Sequence, residues 1–220
     1  GEWRYDQKHR KYAVAVEYAI PQLPTTENGV YRFSRAIPGI GETTARRIAS
    51  KYKKGFLLPN GECPDVDRLM ATVKGLRECK ASSLYTAIRK LNSTGELTRV
   101  LKNCVPGQTI RNIAARYGTT SVEVVANDPY RLYLDRVVQF QTADEIATQM
   151  GYSPTESKRI RACIISQIRQ RKERRAAIIA EKELVLNGSI QMLNLPEQLI
   201  SDEFNAMFKE RQLVSAGKYC

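Results

Sequence analysis

The stretch Ile37-Pro38-Gly39-Ile40-Gly41 places two glycines on either side of one apolar residue, directly before a helical pattern. A tight turn between two helices needs backbone conformations that a side chain resists and that glycine permits. The apolar Ile40 is expected to fill the core below the turn. Ala45 and Ile48 follow at the spacing of a buried helical face. The stretch therefore predicts two helices joined by a glycine turn.

The main-chain amides of Gly41 and of the residues after it are expected to be exposed at the start of the second helix. Unpaired N–H groups and the positive end of the helix dipole favour a phosphate oxygen at such a position. The hydroxyls of Thr43 or Thr44 could add a contact. The pattern is the helix-hairpin-helix signature, which positions a protein on a nucleic-acid backbone without reading bases. A plain Pro-Gly turn in a helical bundle is the alternative.

An internal repeat accompanies the turn. Thr44–Tyr52 and Thr109–Tyr117 share five of nine residues, Thr142–Ala147 repeats their start, and Lys80–Ile88 is a looser copy. In each copy the apolar residues recur at the spacing of one buried helical face. Generic amphipathic helices explain this spacing, but they explain the shared residues less well. The repeat therefore predicts tandem helix-hairpin-helix units.

The turns before these copies differ in their glycines. Gly75-Leu76-Arg77 stands before the second copy with Arg77 in place of the second glycine, and Pro106-Gly107 forms a shortened turn before the third. The fourth copy has Val137-Val138-Gln139 and no glycine. One competent phosphate-binding turn, one further candidate and two packing turns are expected. The predicted DNA-contacting residues are Gly39, Ile40, Gly41, Thr43, Thr44, Arg46, Arg47, Lys51, Gly75, Arg77 and Lys80.

The composition favours a polyanionic partner. The chain has 220 residues, a formal net charge of +12 and a pI near 9.6, and DNA or RNA is the common partner of such a protein. A basic ribosomal-type protein is the alternative. Apolar runs are too short for a membrane span, and no secretory leader opens the chain. Five scattered cysteines and one histidine do not predict a zinc site, and they indicate reduced thiols in the cytoplasm.

The overall pattern predicts a mainly α fold. Residues 1–24 are expected to form a β segment, which includes the run Tyr12–Ile20, and residues 25–165 a tandem helix-hairpin-helix domain. Helix breaks are expected at prolines and at Gly95. Residues 166–220 are expected to form a connecting helix and a small terminal module, with a turn near Asn187, a helix over 197–210 and a strand over 212–214. The first residue, Gly1, indicates a segment of a longer chain.

Two further clusters have open interpretations. Eight basic residues of one long helical segment predict either a solvated surface or a stripe that tracks nucleic acid: Lys158, Arg159, Arg161, Arg169, Arg171, Lys172, Arg174 and Arg175. Four aromatic residues near the amino terminus could stack on bases, although core packing is the stronger expectation: Trp3, Tyr5, Tyr12 and Tyr18.

Several separated motifs together resemble the amino-terminal accessory region of RecD-like (RecD–TraA) DNA helicases. Their order is the same as in that family, and the resemblance covers nearly the whole chain. Asp128 is inserted in one motif, and Val137-Val138-Gln139 replaces a Gly-Ile-Gly turn. The matching stretches are Gly1-Glu-Trp3, Leu23-Pro-Thr-Thr26, Ile37-Pro-Gly-Ile-Gly41, Asn127-Asp-Pro-Tyr-Arg-Leu132, Phe140-Gln-Thr-Ala-Asp-Glu-Ile-Ala147 and Arg159-Ile-Arg-Ala162.

This resemblance implies an accessory region of an ATP-driven helicase that moves 5′ to 3′ on DNA. It implies the end of an OB-like barrel before the helix-hairpin-helix block, a small winged-like module within residues 166–220 after it, and motor domains beyond. No G-x-x-x-x-G-K-[ST] loop occurs in the chain, so ATP and Mg²⁺ are expected only in motor domains of the parent chain. DNA, single-stranded or at a fork, is the expected partner, in repair and recombination. No catalysis, cofactor or metal is expected of this segment.

Two other classes of function stay open. A helix-hairpin-helix DNA glycosylase also places such a turn before a catalytic aspartate, and Pro64-Asp65-Val66-Asp67-Arg68 superficially fits. Asp67 lies further downstream than that spacing suggests. The third class is a protein-interaction scaffold, because degenerate hairpins often pack against neighbouring domains.

Overall fold

The computed structural model describes residues 2–15, 19–175 and 180–214. The chain divides into two compact units, Gly1–Val122 and Glu123–Cys220. The described residues are mainly helical with one short sheet, which confirms the predicted mainly α class. The domain limits expected at residues 24 and 165 stay a prediction.

The first unit opens with a two-stranded antiparallel hairpin. Strand β1 (Glu2–Asp6) pairs with β2 (Lys11–Ala15), and Tyr5 lies directly opposite Tyr12. A strand in this region and a polar turn between residues 6 and 11 were predicted. Residues 16–18, which include Tyr18, lie outside the described part of the chain.

Six helices follow the hairpin. Thr26 caps the first of them, and its hydroxyl accepts a hydrogen bond from the Gly29 amide at 3.2 Å. A single 3₁₀ turn over Gly118–Thr120 precedes the last of these helices. That helix begins in the first unit and ends in the second. The helices are α1 (Glu27–Arg35), α2 (Glu42–Lys51), α3 (Val66–Thr72), α4 (Glu78–Leu101), α5 (Gly107–Tyr117) and α6 (Ser121–Asn127).

One apolar cluster contains residues of all four helices from α1 to α4. It includes Ile40, Ile48, Leu69, Leu76 and Leu84, all of them buried. The buried positions of α2 and α4 are those that the repeat predicted. Because both turns contribute an apolar residue to the same cluster, the two hairpins fold as one pair rather than as separate motifs.

Helix α4 continues through Gly95, where a break was predicted. A methyl group on Gly95 would lie 2.4 Å from the Pro21 carbonyl oxygen, well inside van der Waals contact. Glycine is therefore present here because a neighbouring segment of backbone passes close to the helix. The predicted break at Gly95 is wrong for this reason.

The second unit contains five more helices. Its core includes Tyr130, Phe140, Ile160 and Phe204, and Asp144 joins Tyr130 to Arg159 at its edge. The helices are α7 (Arg131–Leu134), α8 (Phe140–Gln149), α9 (Ser157–Arg175), α10 (Lys182–Leu193) and α11 (Glu197–Lys209).

The carboxyl-terminal expectations are partly wrong. Helix α11 lies where a helix was predicted, but Asn187 lies inside α10, and residues 212–214 form a bend rather than a strand. Thus the described residues of this region, up to 214, contain helices without the strand of a winged module. Helix α10 ends at Leu193, and Asn194 follows as its C-cap in a left-handed conformation with φ of 52°.

Candidate nucleic-acid interface

The first turn, residues 36–41, lies between α1 and α2. Gly39 adopts a φ of +84°, a left-handed conformation that side chains disfavour. The Ile40 amide donates to the Ile37 carbonyl at 3.1 Å, and the Ile40 side chain is 1% exposed. Arg35 donates to the Ile40 carbonyl at 3.3 Å. The apolar residue of the turn thus anchors it to the core, as predicted.

Gly41 begins α2 as its N-cap, and no side chain caps this helix. Gly41, Glu42 and Thr43 are exposed, and Thr44 is half-buried. Within the described part of the chain, the amides of these four residues have no hydrogen-bond partner. Four donors therefore converge at the positive end of the α2 dipole, an arrangement that suits an anion.

The two glycines of the turn have different roles. Gly41 has φ −76° and ψ 169°, which any residue can adopt. A Cβ atom added to Gly39 or to Gly41 would have no atom within 4 Å. Gly39 is therefore needed for its backbone conformation, whereas Gly41 leaves the space in front of the amides open.

The second turn, residues 73–77, has nearly the same backbone. Gly75 has a φ of +80°, and the Leu76 amide donates to the Val73 carbonyl at 3.0 Å. Arg77, the N-cap of α4, has φ −75° and ψ 149°. Replacement of the second glycine by Arg77 has thus left the turn unchanged. The Lys80 amide donates to the Arg77 carbonyl, so one fewer amide is open here than in the first turn.

Arg47 connects the two turns. Its Nη1 donates to the Lys74 carbonyl oxygen at 3.3 Å, and a Cβ atom on Gly75 would lie 3.0 Å from the same nitrogen. Arg47 was predicted to contact DNA. The structure places its guanidinium against the second turn, although Arg47 itself belongs to α2.

Arg46 is paired with an acidic neighbour. It donates to Glu42 at 2.7 Å and lies over the Tyr31 ring at 5.5 Å. The hydrogen bond from Arg46 holds the pKa of Glu42 below its ordinary value. Part of the charge predicted for a phosphate is therefore offset by a carboxylate, and both side chains are well exposed.

The remaining predicted residues are divided between the turns and a more distant position. Thr43 and Thr44 lie in the first turn of α2, and Arg77 and Lys80 lie at the start of α4. Lys51 lies at the opposite end of α2, roughly 13 Å along the helix from its first residues at 1.5 Å per residue. The structure therefore places Lys51 away from the first turn, and its predicted contact with DNA stays a prediction.

The third and fourth copies keep the helix start but not the glycine conformation. Pro106 begins α5 and Gln139 begins α8, both with extended backbone, and neither helix has a side-chain cap. Val105, at 2% exposure, takes the place that Ile40 holds in the first turn. That these two turns pack instead of binding a phosphate stays a prediction.

Much of the basic cluster in α9 is bonded within the second unit. Lys158 donates to the Asn127 carbonyl, Arg161 to Glu203, and Arg169 to the Tyr133 carbonyl. Arg159 forms a two-pronged ion pair with Asp144 at 2.7 and 2.9 Å. Lys158 is exposed as well as bonded, and the side chains of Lys172, Arg174 and Arg175 lie outside the described part of the chain. Arg159, Arg161 and Arg169 therefore bind within the unit, and the choice between a solvated surface and a nucleic-acid stripe stays a prediction for the rest.

Asp65 and Asp67 do not form a recognisable catalytic pair. The Asp65 carboxylate accepts a hydrogen bond from the Arg68 amide at 2.8 Å, and so caps α3. Asp67 is exposed in the first turn of that helix. No group of three metal-binding side chains occurs among the described residues, and no helix found there is long and apolar enough to cross a bilayer.

The two glycine turns, which share one core, have the form of helix-hairpin-helix turns. Residues 96–175 match the family model described as the ATP-dependent RecD2 DNA helicase HHH domain. This match confirms the resemblance to RecD-like helicases over the third and fourth copies. The turns at residues 36–41 and 73–77 precede the matched residues. No solved structure matches the chain.

Proposed function

We propose that this chain binds DNA without sequence specificity, as the accessory region of a 5′–3′ RecD-like helicase. The observation that carries the proposal is the group of four amides without a hydrogen-bond partner at the start of α2, on residues of which three are exposed. Such amides bind a phosphate oxygen, which every nucleotide offers. The second turn repeats the geometry with Arg77 as an additional cation.

The helicase part of the proposal rests on the family match. That family model is named for an ATP-dependent DNA helicase, and the helix-hairpin-helix class suits a region that holds the substrate. ATP and Mg²⁺ would bind only to motor domains of the parent chain, which would act in the cytoplasm. The segment itself would perform no chemistry.

Single-stranded DNA or a fork is the proposed substrate, and repair or recombination the proposed setting. Main-chain contacts to phosphates do not require a paired strand. Two turns in one rigid pair can contact two phosphates, either of one strand or of two strands that meet at a junction.

Gly41→Val tests the proposal. The isopropyl group would stand in the open space before the amides, and the extended backbone of Gly41 accepts a side chain, as Arg77 shows. We expect about tenfold weaker binding or more, because charge-assisted hydrogen bonds contribute about 1.5–3 kcal/mol each. The measurement is fluorescence anisotropy with labelled single-stranded, duplex and forked oligonucleotides at two salt concentrations.

Ser50→Val is the matched control, since it adds the same side chain near the far end of α2 on an exposed position. It should leave affinity unchanged. If Gly41→Val binds DNA as tightly as the unmodified chain, the first turn is not the site. A chain that binds no oligonucleotide even at low salt would instead be a protein-interaction scaffold.

A further inference from the structure

An acidic residue follows each of the two glycine turns directly. Glu42 is the first residue of α2 and Glu78 is the first residue of α4, and both are exposed. A carboxylate in the first turn of a helix is stabilised by the positive end of the helix dipole. A phosphate at the same helix start would use the same positive charge, and a nearby carboxylate would repel it. Under the proposed function, each turn therefore carries a group that opposes its ligand.

In the first turn, Arg46 holds this acidic group. Its Nε and Nη2 donate to the same Glu42 oxygen at 3.1 and 2.7 Å, and its guanidinium lies 5.5 Å from the centre of the Tyr31 ring. Residues four apart are neighbours on the surface of a helix, one turn from each other. The bond therefore draws the Glu42 carboxylate along the side of α2, away from the amides at the helix start.

The second turn has no equivalent of Arg46. Counted from the left-handed glycine of each turn, Glu78 corresponds to Glu42. By the same count, Ser82 corresponds to Arg46. Within the part of the chain that the structure describes, no side chain bonds to the Glu78 carboxylate. Arg77 directly precedes Glu78, and adjacent residues do not face each other on a helix. The Glu78 carboxylate is therefore free to turn towards the amides beside it.

We infer that Arg46 is a positioning residue for phosphate binding at the first turn, acting through Glu42 rather than by contact with the nucleic acid. For the same reason, Glu78 makes the second turn the weaker phosphate site. The inference rests on the proposed function, since it assigns these roles at the same two turns. Two unit charges about 4 Å apart in water change a binding constant about fivefold, which is readily measured.

Replacement of Arg46 and Glu42, singly and together, tests the first part of the inference. Binding of a labelled single-stranded oligonucleotide to the whole chain would be followed by fluorescence anisotropy at low salt. Arg46→Gln should weaken binding about fivefold when Glu42 is present, and less than about twofold when Glu42→Gln is also present. If Arg46→Gln weakens binding by the same factor in both backgrounds, Arg46 contacts the nucleic acid directly and the inference is wrong.

The sign of the Glu42→Gln effect distinguishes positioning from a merely structural ion pair. Removal of a carboxylate that opposes the phosphate should strengthen binding. If the pair served only to stabilise the turn, Glu42→Gln would weaken binding as Arg46→Gln does, and this result would also overturn the inference. The two side chains are 70% and 59% exposed, and such pairs contribute little to stability, so both variants should remain folded.

Arg89→Gln is the matched control for the loss of one cation. Arg89 also lies over a tyrosine ring, that of Tyr85 at 5.9 Å, but it has no carboxylate partner among the described residues. If Arg89→Gln weakens binding as much as Arg46→Gln does, net charge alone accounts for the effect, and the role assigned to Arg46 is wrong.

Glu78→Gln tests the second turn. It should strengthen binding more than Glu42→Gln does, because no cation holds the Glu78 carboxylate. Glu96→Gln removes the same charge from the same helix, roughly 27 Å away at 1.5 Å per residue, and is the control. If Glu78→Gln improves affinity no more than Glu96→Gln, Glu78 does not oppose a phosphate at the second turn.

The Gly41→Val variant separates failure of this inference from failure of the proposed function. If Gly41→Val weakens binding but the effect of Arg46→Gln does not depend on Glu42, only the inference is rejected. If Gly41→Val binds as tightly as the unmodified chain, the first turn is not the site, and the role of Arg46 is rejected together with the proposed function.

Discussion

Gly39 and Gly41 are two residues apart, but they contribute to different properties of the molecule. Gly39 has a φ of +84°, in the region where a Cβ atom meets the following carbonyl. Gly41 has an extended backbone, which the second turn reproduces with Arg77. Gly39 therefore contributes to the stability of the fold, whereas Gly41 keeps the amides at the start of α2 accessible to a ligand.

Alanine at each glycine should separate these two properties. We expect Gly39→Ala to lower the free energy of unfolding by about 1–2 kcal/mol, the cost of a left-handed conformation for a residue with a Cβ atom. Gly41→Ala should change it by less than about 0.5 kcal/mol. Urea denaturation followed by circular dichroism measures both values. Equal losses in the two variants would contradict the distinction.

At the scale of single residues, the sequence correctly predicted the glycine turn, but it did not predict the partners of the arginine side chains. The Gly-Ile-Gly spacing depends on local backbone geometry, which adjacent residues determine. Arg47 instead donates to the carbonyl of Lys74, 27 residues further along the chain. No local pattern indicates such a partner.

At the scale of helices, the glycines within α4 and α10 show why a glycine does not reliably mark the end of a helix. Gly95 lies against the Pro21 carbonyl, and a Cβ atom on Gly188 would lie 2.3 Å from the Gln167 side chain. Each glycine serves close packing in the middle of a helix. Local propensity predicts a break at both positions, because it does not include the neighbouring segment.

Gly95→Ala should therefore destabilise the protein, although alanine is favoured over glycine in a helix by about 1 kcal/mol. The added methyl group would meet the Pro21 carbonyl, so Pro21 or the helix must shift. We expect a net loss of about 1–3 kcal/mol, as in other overpacked positions. A thermal melt measures it.

Lys90→Ala, at an exposed position of the same helix, is the control and should leave the melting temperature nearly unchanged. A Gly95→Ala variant that melts higher than the unmodified chain would show that Pro21 does not hold its position against α4.

For the whole molecule, a net charge of +12 indicated a polyanion partner but not where it binds. In the second unit, Arg159 and Arg161 pair with carboxylates, and Arg169 donates to carbonyls. These side chains stabilise the helical unit. The overall charge therefore indicates a class of partner, whereas a dense basic run in the sequence does not by itself locate a binding site.

The Asp144–Arg159 pair predicts a loss of stability in acid. Burial raises the pKa of Asp144, but hydrogen bonds from Arg159 and Tyr130 outweigh it, so the pKa lies below the ordinary value of 3.8. A carboxylate with a lowered folded pKa contributes stability above its unfolded pKa, and this contribution is lost as the pH falls through the folded pKa. The melting temperature should therefore fall below about pH 4.

Asp144→Asn should remove part of this acid dependence and cost at most about 3 kcal/mol near neutral pH, since it leaves Arg159 without its charge partner. Both side chains of the pair are less than a quarter exposed, at 16% and 21%. Asp202→Asn, on an exposed position of α11, is the control. If the melting temperature of Asp144→Asn depended on pH in the same way as that of the unmodified chain, other carboxylates would be responsible for the loss of stability in acid.

The bond from Arg47 to the Lys74 carbonyl has a further consequence for ligand length. It ties α2 to the second turn, and Ile40 and Leu76 of the two turns lie in one apolar cluster. Under the proposed function, the protein and not the nucleotide chain therefore sets the interval between the two bound phosphates. A strand long enough to span that interval gains the second contact as an intramolecular event, at a high effective concentration. Affinity should then rise in a step at one particular number of nucleotides, and only gradually on either side of it.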